Sequence, residues 1–194
     1  QMAAMPPGSE EGILRGLYKF KASAKAGGPK AHLFGSGPIM PYAVRAQAIL
    51  AEQFNVAADV WSATSYKELR RDALEAKRWN FLHPSEKPRL SYVEQALAKE
   101  GAKDVYVASS DYMRCVPEMI AEWVPGGLYA LGTDGFGRSE TRPALRRHFE
   151  VDAECIALAA LYQLSRKGQY AAAEVEKARQ KLGIDPEKLN PLTA

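Results

Sequence analysis

The sequence predicts an α/β domain: a mostly parallel, twisted sheet with helices on both faces and one antiparallel strand. Three observations carry this. Short strand-like runs alternate with longer helix-periodic runs from Ala31 to Leu131. Glycine, proline and helix-capping residues fall between them. The length, 194 residues, suits one such domain with tails.

Taken in order, Gln1–Glu11 holds Met2, Met5, Pro6, Pro7 and Gly8, and reads as a linker from an upstream domain. Residues 12–194 are expected to form a single domain. Gly12–Phe20 reads as a strand on Ile13, Leu14, Leu17, Tyr18 and Phe20, and Lys25–Pro29 as a loop. Ala31–Gly35 is the next strand. Gly35-Ser36-Gly37 turns into a helix from Pro38, with Val44, Ile49, Leu50 and Phe54 on its apolar side. Asp59–Ala63 is a strand and Tyr66–Trp79 a helix. Ser91-Tyr92-Val93-Glu94 spells a capping box, serine and glutamate each satisfying the other's free backbone N–H. The helix it starts stops near Gly101. Asp104–Ala108 is a strand, Tyr112–Trp123 a helix and Leu128–Leu131 the last strand. Asp152 and Gly168 are placed to cap a helix in which Ile156, Leu158, Leu161 and Leu164 stand among alanines, so it should lie buried on the sheet. Tyr170–Leu182 is more polar and should lie outside it. Asp185-Pro186 can open a final turn.

Composition narrows the function classes. Hydrophobic residues make up 46% and charged residues 25%, enough for a core. No apolar run approaches the roughly 18 residues of a membrane span, and no charged-then-apolar leader opens the chain, so the expected address is cytoplasmic. The net charge of +3 is spread along the chain and gives no nucleic-acid footprint. Arg70-Arg71 and Arg146-Arg147-His148 read as solvated helix faces. Cys115 and Cys155 form no CxxC and read as reduced, buried thiols.

The motifs give little chemistry. Gly35-Ser36-Gly37 lacks the third glycine of a dinucleotide fingerprint, since Met40 stands there, and Pro38 and Pro41 remove N–H donors. It reads as a structural turn. His32, His83 and His148 show no metal-ligand spacing, and no GxSxG or nucleophile–base pair stands out. His32 reads as a packed strand residue and His83 as a residue that orders its loop. Catalytic, cofactor-binding and metal-binding residues are therefore expected to be none. Gly132–Glu140 is the most unusual segment, with three glycines among alternating charges after the last strand. Carboxyl ends of parallel strands are where ligands and partners sit. This makes Asp134, Phe136, Arg138, Ser139 and Glu140 the candidate interface residues. Its Asp-Gly pair is not the Gly-Asp-Gly of a thiamine-diphosphate motif, because Thr133 precedes Asp134, and Asn190 is the only later asparagine.

Four segments carry a resemblance: Glu10–Tyr18, Thr64–Asp72, Arg78–Pro84 and Leu131–Ser139. Phe149–Ala153 and Asn190-Pro191 agree with it. In order along nearly the whole chain, they resemble the C-terminal third of the homodimeric bacterial pyruvate dehydrogenase decarboxylating components, a transketolase-like family. The resemblance implies a parent chain that holds thiamine diphosphate and Mg²⁺ in upstream domains. That parent decarboxylates pyruvate and passes the acetyl unit to the lipoyl group of dihydrolipoyl acetyltransferase. It implies no cofactor in this segment, and partners in the other domains, the dimer mate and the acetyltransferase, with no nucleic acid and no membrane. It carries no catalytic residue onto a position here. On this reading the segment is an assembly domain. The alternatives are a free-standing α/β module for a nucleotide or acyl carrier, and an interaction protein without an enzymatic parent.

Overall fold

The structure, a computed structural model, describes residues 5–194; Gln1–Ala4 of the expected linker lie outside the described residues. Five strands form one sheet in the order β1-β3-β2-β4-β5. They are β1 (Leu17–Lys21), β2 (Lys30–Gly35), β3 (Ala57–Ala63), β4 (Val105–Ser109) and β5 (Tyr129–Leu131). β1 runs antiparallel to β3, and the other pairs are parallel. This is the fold class expected, antiparallel strand included.

The start of the chain needs a correction. Gly12–Phe20 is not one strand: Glu10–Arg15 is a helix, α1, and only Leu17–Lys21 is strand. Glu10 and Glu11 in its first turn and Arg15 in its last suit the helix dipole, and Leu14 is 80% exposed rather than packed. Gly16, at φ 103°, ends the helix, and a side chain there would strike the Ser65 carbonyl.

Side chains leave β2 and β4 alternately to two cores. Leu33, Val105 and Val107 face α2 (Met40–Phe54) and α7 (Ala153–Arg166). Phe34, Tyr106 and Ala108 face the layer of α3 (Tyr66–Leu82) and α4 (Tyr92–Leu97). Every residue of β3 and β4 is buried, as central strands covered on both faces require. The capping box at Ser91 and Glu94 is present. Asp152 caps α7 by accepting from the Cys155 N–H at 2.8 Å. In α7, Ile156, Leu161 and Leu164 are buried. Leu158 is only partly so, and lines an open groove of about 640 Å³ between β5, α7 and α8 (Ala172–Lys181).

Three further expectations change. Tyr112–Trp123 is not one helix: α5 covers Cys115–Glu118, and Ala121–Trp123 is a single 3-10 turn. Pro117 lacks the N–H that a longer helix would need there. Arg146 and Arg147 lie in α6 (Arg142–His148) but are not a solvated face. The Arg146 side chain is 12% exposed and 3.5 Å from Asp111, and Arg147 is 2.8 Å from Asp152. Arg70 and Arg71 are exposed as expected. Both cysteines are free, but Cys115 is exposed and only Cys155 is buried. No helix among the described residues is long and apolar enough to cross a membrane.

A closed set of ion pairs spans the amino-end side of the sheet. Lys19 of β1 lies 2.8 Å from Asp59 and 2.6 Å from Glu100. Lys30 of β2 lies 2.9 Å from Asp59 and 3.0 Å from Glu100. The Ser23 N–H donates to the second Asp59 oxygen at 2.8 Å. Burial alone would raise the Asp59 carboxyl, but hydrogen bonds from Lys19, Ser23 and Lys30 outweigh it and bring the pKa down to about 2.

This packing can be tested by stability in two ways. Leu161→Ala should cost roughly 2–5 kcal/mol in a denaturant melt, and Leu158→Ala clearly less, because the groove already exposes it; equal losses would contradict this packing. Asp59 titrates lower when folded than unfolded, so its stabilisation is complete above about pH 4 and is lost as pH falls through 2. It is worth about 2 kcal/mol, and Asp59→Asn should flatten that acid limb while lowering stability at pH 7. An unchanged acid limb would exclude Asp59 from the linkage.

Candidate functional site

The candidate surface is the loop that leaves β5 at the carboxyl end of the sheet. Its first residues are packed, not free. Ser110 N–H donates to Leu131 O, and Thr133 N–H donates to Tyr112 O at 3.0 Å, so pairing of the two chain segments continues past the strands. Thr133 Oγ1 adds a bond to Asp111 O at 3.1 Å. A side chain at Gly132 would strike the backbone of Tyr112 and Arg114. Asp134 accepts from the Arg114 guanidinium at 2.7 Å, a hydrogen bond that raises the Arg114 pKa further. Gly135, at φ 105°, lies against the Pro191 carbonyl, where no Cβ fits. The chain terminus thus braces the loop.

Beyond Gly135 the loop faces outward. Phe136 is 82% exposed, and Arg138 and Ser139 are exposed. Glu140 accepts from the Thr141 N–H at 2.8 Å, just ahead of α6. Of the five residues singled out in the sequence, Asp134 and Glu140 have internal partners, whereas Phe136, Arg138 and Ser139 are offered to solvent. Sequence reasoning missed Arg114 and Pro191, which hold the loop from 20 or more residues away; the only signal was the density of glycines.

The other motifs resolve as structure. At Gly35-Ser36-Gly37 a side chain on Gly35 would meet Met40 Sδ at 2.8 Å, so the glycine lets α2 approach β2. The turn runs into a 3-10 turn at Gly37–Ile39. His83 stacks on Trp79 with ring centroids 4.4 Å apart. His32 is fully buried. Trp61 Nε1–H donates to His32 Nδ1 at 3.1 Å, so the neutral ring carries its proton on Nε2 and donates it to Asp104 at 3.0 Å. Burial holds the His32 pKa below its ordinary value despite Asp104, consistent with a neutral ring.

His32, Glu100 and Asp104 bring three ligand atoms within 4.8 Å of one another. The group does not suit a cation: Lys19 and Lys30 already sit on Glu100, and His32 Nε2 is the protonated nitrogen. The residues at the Gly-rich loop do not fit thiamine diphosphate and Mg²⁺ either. Asp134 is held by Arg114, and the space beside Gly135 is filled by Pro191.

With this geometry in hand, comparison with known proteins is specific. The model of the transketolase-like TK C-terminal domain matches residues 16–152. The pyruvate dehydrogenase E1 component of Pseudomonas aeruginosa is 47% identical over 190 residues, covering 97% of this chain and 21% of that protein. That of Escherichia coli K12 is 45% identical over 194 residues, covering 100% and 21%. That of Mycobacterium tuberculosis is 46% identical over 171 residues, covering 88% and 18%. The chain spans about a fifth of the length of these relatives, not the third expected from the sequence. Among solved structures, transketolase from Leishmania mexicana aligns with a TM-score of 0.54 at 17% identity, covering 84% of this chain and 20% of that one. A Pichia stipitis transketolase complex with sedoheptulose-7-phosphate gives 0.52 at 16%, covering 81% and 19%. Both support the fold. The family match runs from the glycine that ends α1 to the aspartate that caps α7, and so takes in the whole sheet and the loop at its carboxyl end: the chain belongs to the transketolase-like C-terminal domain family.

Proposed function

We propose that this chain is the C-terminal assembly domain of a cytoplasmic pyruvate dehydrogenase E1-type component. Its longer parent decarboxylates pyruvate with thiamine diphosphate and Mg²⁺, and acetylates the lipoyl group of dihydrolipoyl acetyltransferase. The chain itself supplies no catalytic group; its loop at residues 132–140 docks on the other domains or on the partner subunit. One observation carries the reading: identity of 45–47% to E1 components over 97% or more of this chain. The surface supports the assembly role. A braced loop that presents an aromatic and an arginine at a sheet's carboxyl end has the composition of an interface centre.

Arg138 is the cleaner probe, because Asp134 has an internal partner whose loss would confuse the result. Arg138→Glu should leave the melting temperature of the 194-residue chain unchanged. In the full-length parent it should weaken the dimer and lower activity at low protein concentration, by about 2–5 kcal/mol of association if the charge is buried there. Sedimentation of the full-length variant and melts of the short chain read the two effects. An unchanged dimer with unchanged activity would reduce the loop to a connector.

A further inference from the structure

Arg146 is a charge without an adequate internal partner. Its side chain is 12% exposed, and among the described residues its single ionic contact is Asp111, one pair at 3.5 Å. Its Nε is buried with no hydrogen-bond partner. A guanidinium carries five N–H donors in a planar fork, and taking them out of water without acceptors is costly. Neighbouring Arg147 differs: it also leaves one nitrogen without a partner, but Asp152 meets its charge at 2.8 Å. Arg142 stands one turn before Arg146 on α6, is exposed, and makes no ion pair among the described residues. Like charges at i and i+4 repel, so this face of α6 carries positive charge that the chain does not offset.

Arg146 also lies where such a fold places ligands. β2 pairs with β3 on one side and with β4 on the other. The chain leaves β2 through α2 to reach β3, and then crosses to β4 on the opposite side. The strand order therefore reverses between β2 and β4, and the crevice outside their carboxyl ends is the switch point of an open α/β sheet. Arg146 reaches this region from α6. Its guanidinium carbon is 5.9 Å from the ring centroid of Tyr42, in the first turn of α2, and it contacts Asp111 two residues past the end of β4. Ser109, the last residue of β4, stands beside Gly35, the last residue of β2. By strand alternation its side chain lies on the same face as Val105 and Val107, the face that α2 covers. Ser109 is 1% exposed, and its hydroxyl has no hydrogen-bond partner either. The Asp111 side chain is 34% exposed and Tyr112 60%, so this end of the sheet is open to solvent.

We propose that the β2–β4 switch point binds a small phosphate dianion, inorganic phosphate or a phosphomonoester, with Arg146 as its principal ligand and Arg142 as an outer one. Two guanidiniums against one carboxylate suit a dianion better than a monoanion, and the guanidinium fork matches phosphate oxygens. Asp111 holds Arg146 through a single long contact and is exposed enough to turn into solvent, so it competes with the bound anion. The Arg146 Nε–H and the Ser109 hydroxyl are the buried groups that remain to be satisfied there. The site is independent of the assembly reading, because its ligand is a small ion and not another domain.

NMR titration of the 194-residue chain at constant ionic strength tests this, read at the Arg146 Nε–H and at the backbone amides of Ser36, Ser110 and Asp111. Inorganic phosphate and glycerol phosphate are the dianion probes, and acetate is the monoanion. Phosphate should move these signals together and saturate at about millimolar concentration or below, with acetate about tenfold weaker. The tighter of the two phosphates tells whether the ligand is free or esterified. Arg146→Gln should weaken phosphate binding at least about tenfold, Arg142→Gln about threefold, and Asp111→Asn should tighten it about threefold. The gain in Asp111→Asn keeps the test decisive if Arg146→Gln fails to fold. Shifts that do not saturate by about 10 mM mean an adventitious ion only and overturn the proposal. So does acetate binding as tight as phosphate, or phosphate binding that neither Arg146→Gln nor Asp111→Asn changes.

Discussion

The structure turns on two ammonium groups and two carboxylates. Lys19 and Lys30 each bridge Asp59 and Glu100, so four charges from β1, β2, β3 and the segment before β4 neutralise one another. The Asp59 side chain is 4% exposed, and an unpaired carboxylate there would be strongly destabilising. With all four present, the set fixes the antiparallel strand β1 on the edge of a parallel sheet. Asp59 also accepts from Ser23 and thereby holds the link from β1 to β2. His32 lies beside this set, made neutral by burial and fixed in one tautomer by Trp61.

This division of labour shapes what each end of the sheet can do. The amino-end side uses its polar groups on one another. At the carboxyl end, internal pairing holds the loop as far as Gly135, and Phe136, Arg138 and Ser139 are left exposed. The tail at Pro191 and the Asp134–Arg114 pair fix where the outward part points, which would reduce the entropy lost in the proposed docking.

Much of this was legible in the sequence because it depends on local chemistry. The capping box at Ser91, the cap at Asp152, the order of strands and helices and the burial of Ile156, Leu161 and Leu164 all depend on neighbours within one or two helical turns. The misreadings have two causes. Ile13 and Leu14 look like strand residues, but the acidic first turn, Arg15 and the Gly16 cap of a short helix stand in the same stretch, and Pro117 likewise interrupts the Tyr112–Trp123 run; other misreadings come from contacts made in the fold. Arg146 looks solvated until Asp111 arrives from a distant position, and Arg147 until the turn after α6 brings Asp152 back to it. Leu158 has the right spacing for the core, but its place depends on where α8 stops covering α7. The candidate surface was visible as a Gly-rich loop; its internal partners Arg114 and Pro191 were not, because they meet it only in three dimensions.

The central claim, that this is an assembly domain whose Gly-rich loop is covered in its parent, is tested most directly by amide hydrogen exchange of residues 132–140. In the 194-residue chain, Phe136–Ser139 should exchange quickly, while Thr133 is protected by its bond to Tyr112. In the full-length polypeptide, exchange at Phe136–Ser139 should slow by about tenfold or more. Equal exchange in the two proteins would contradict the account.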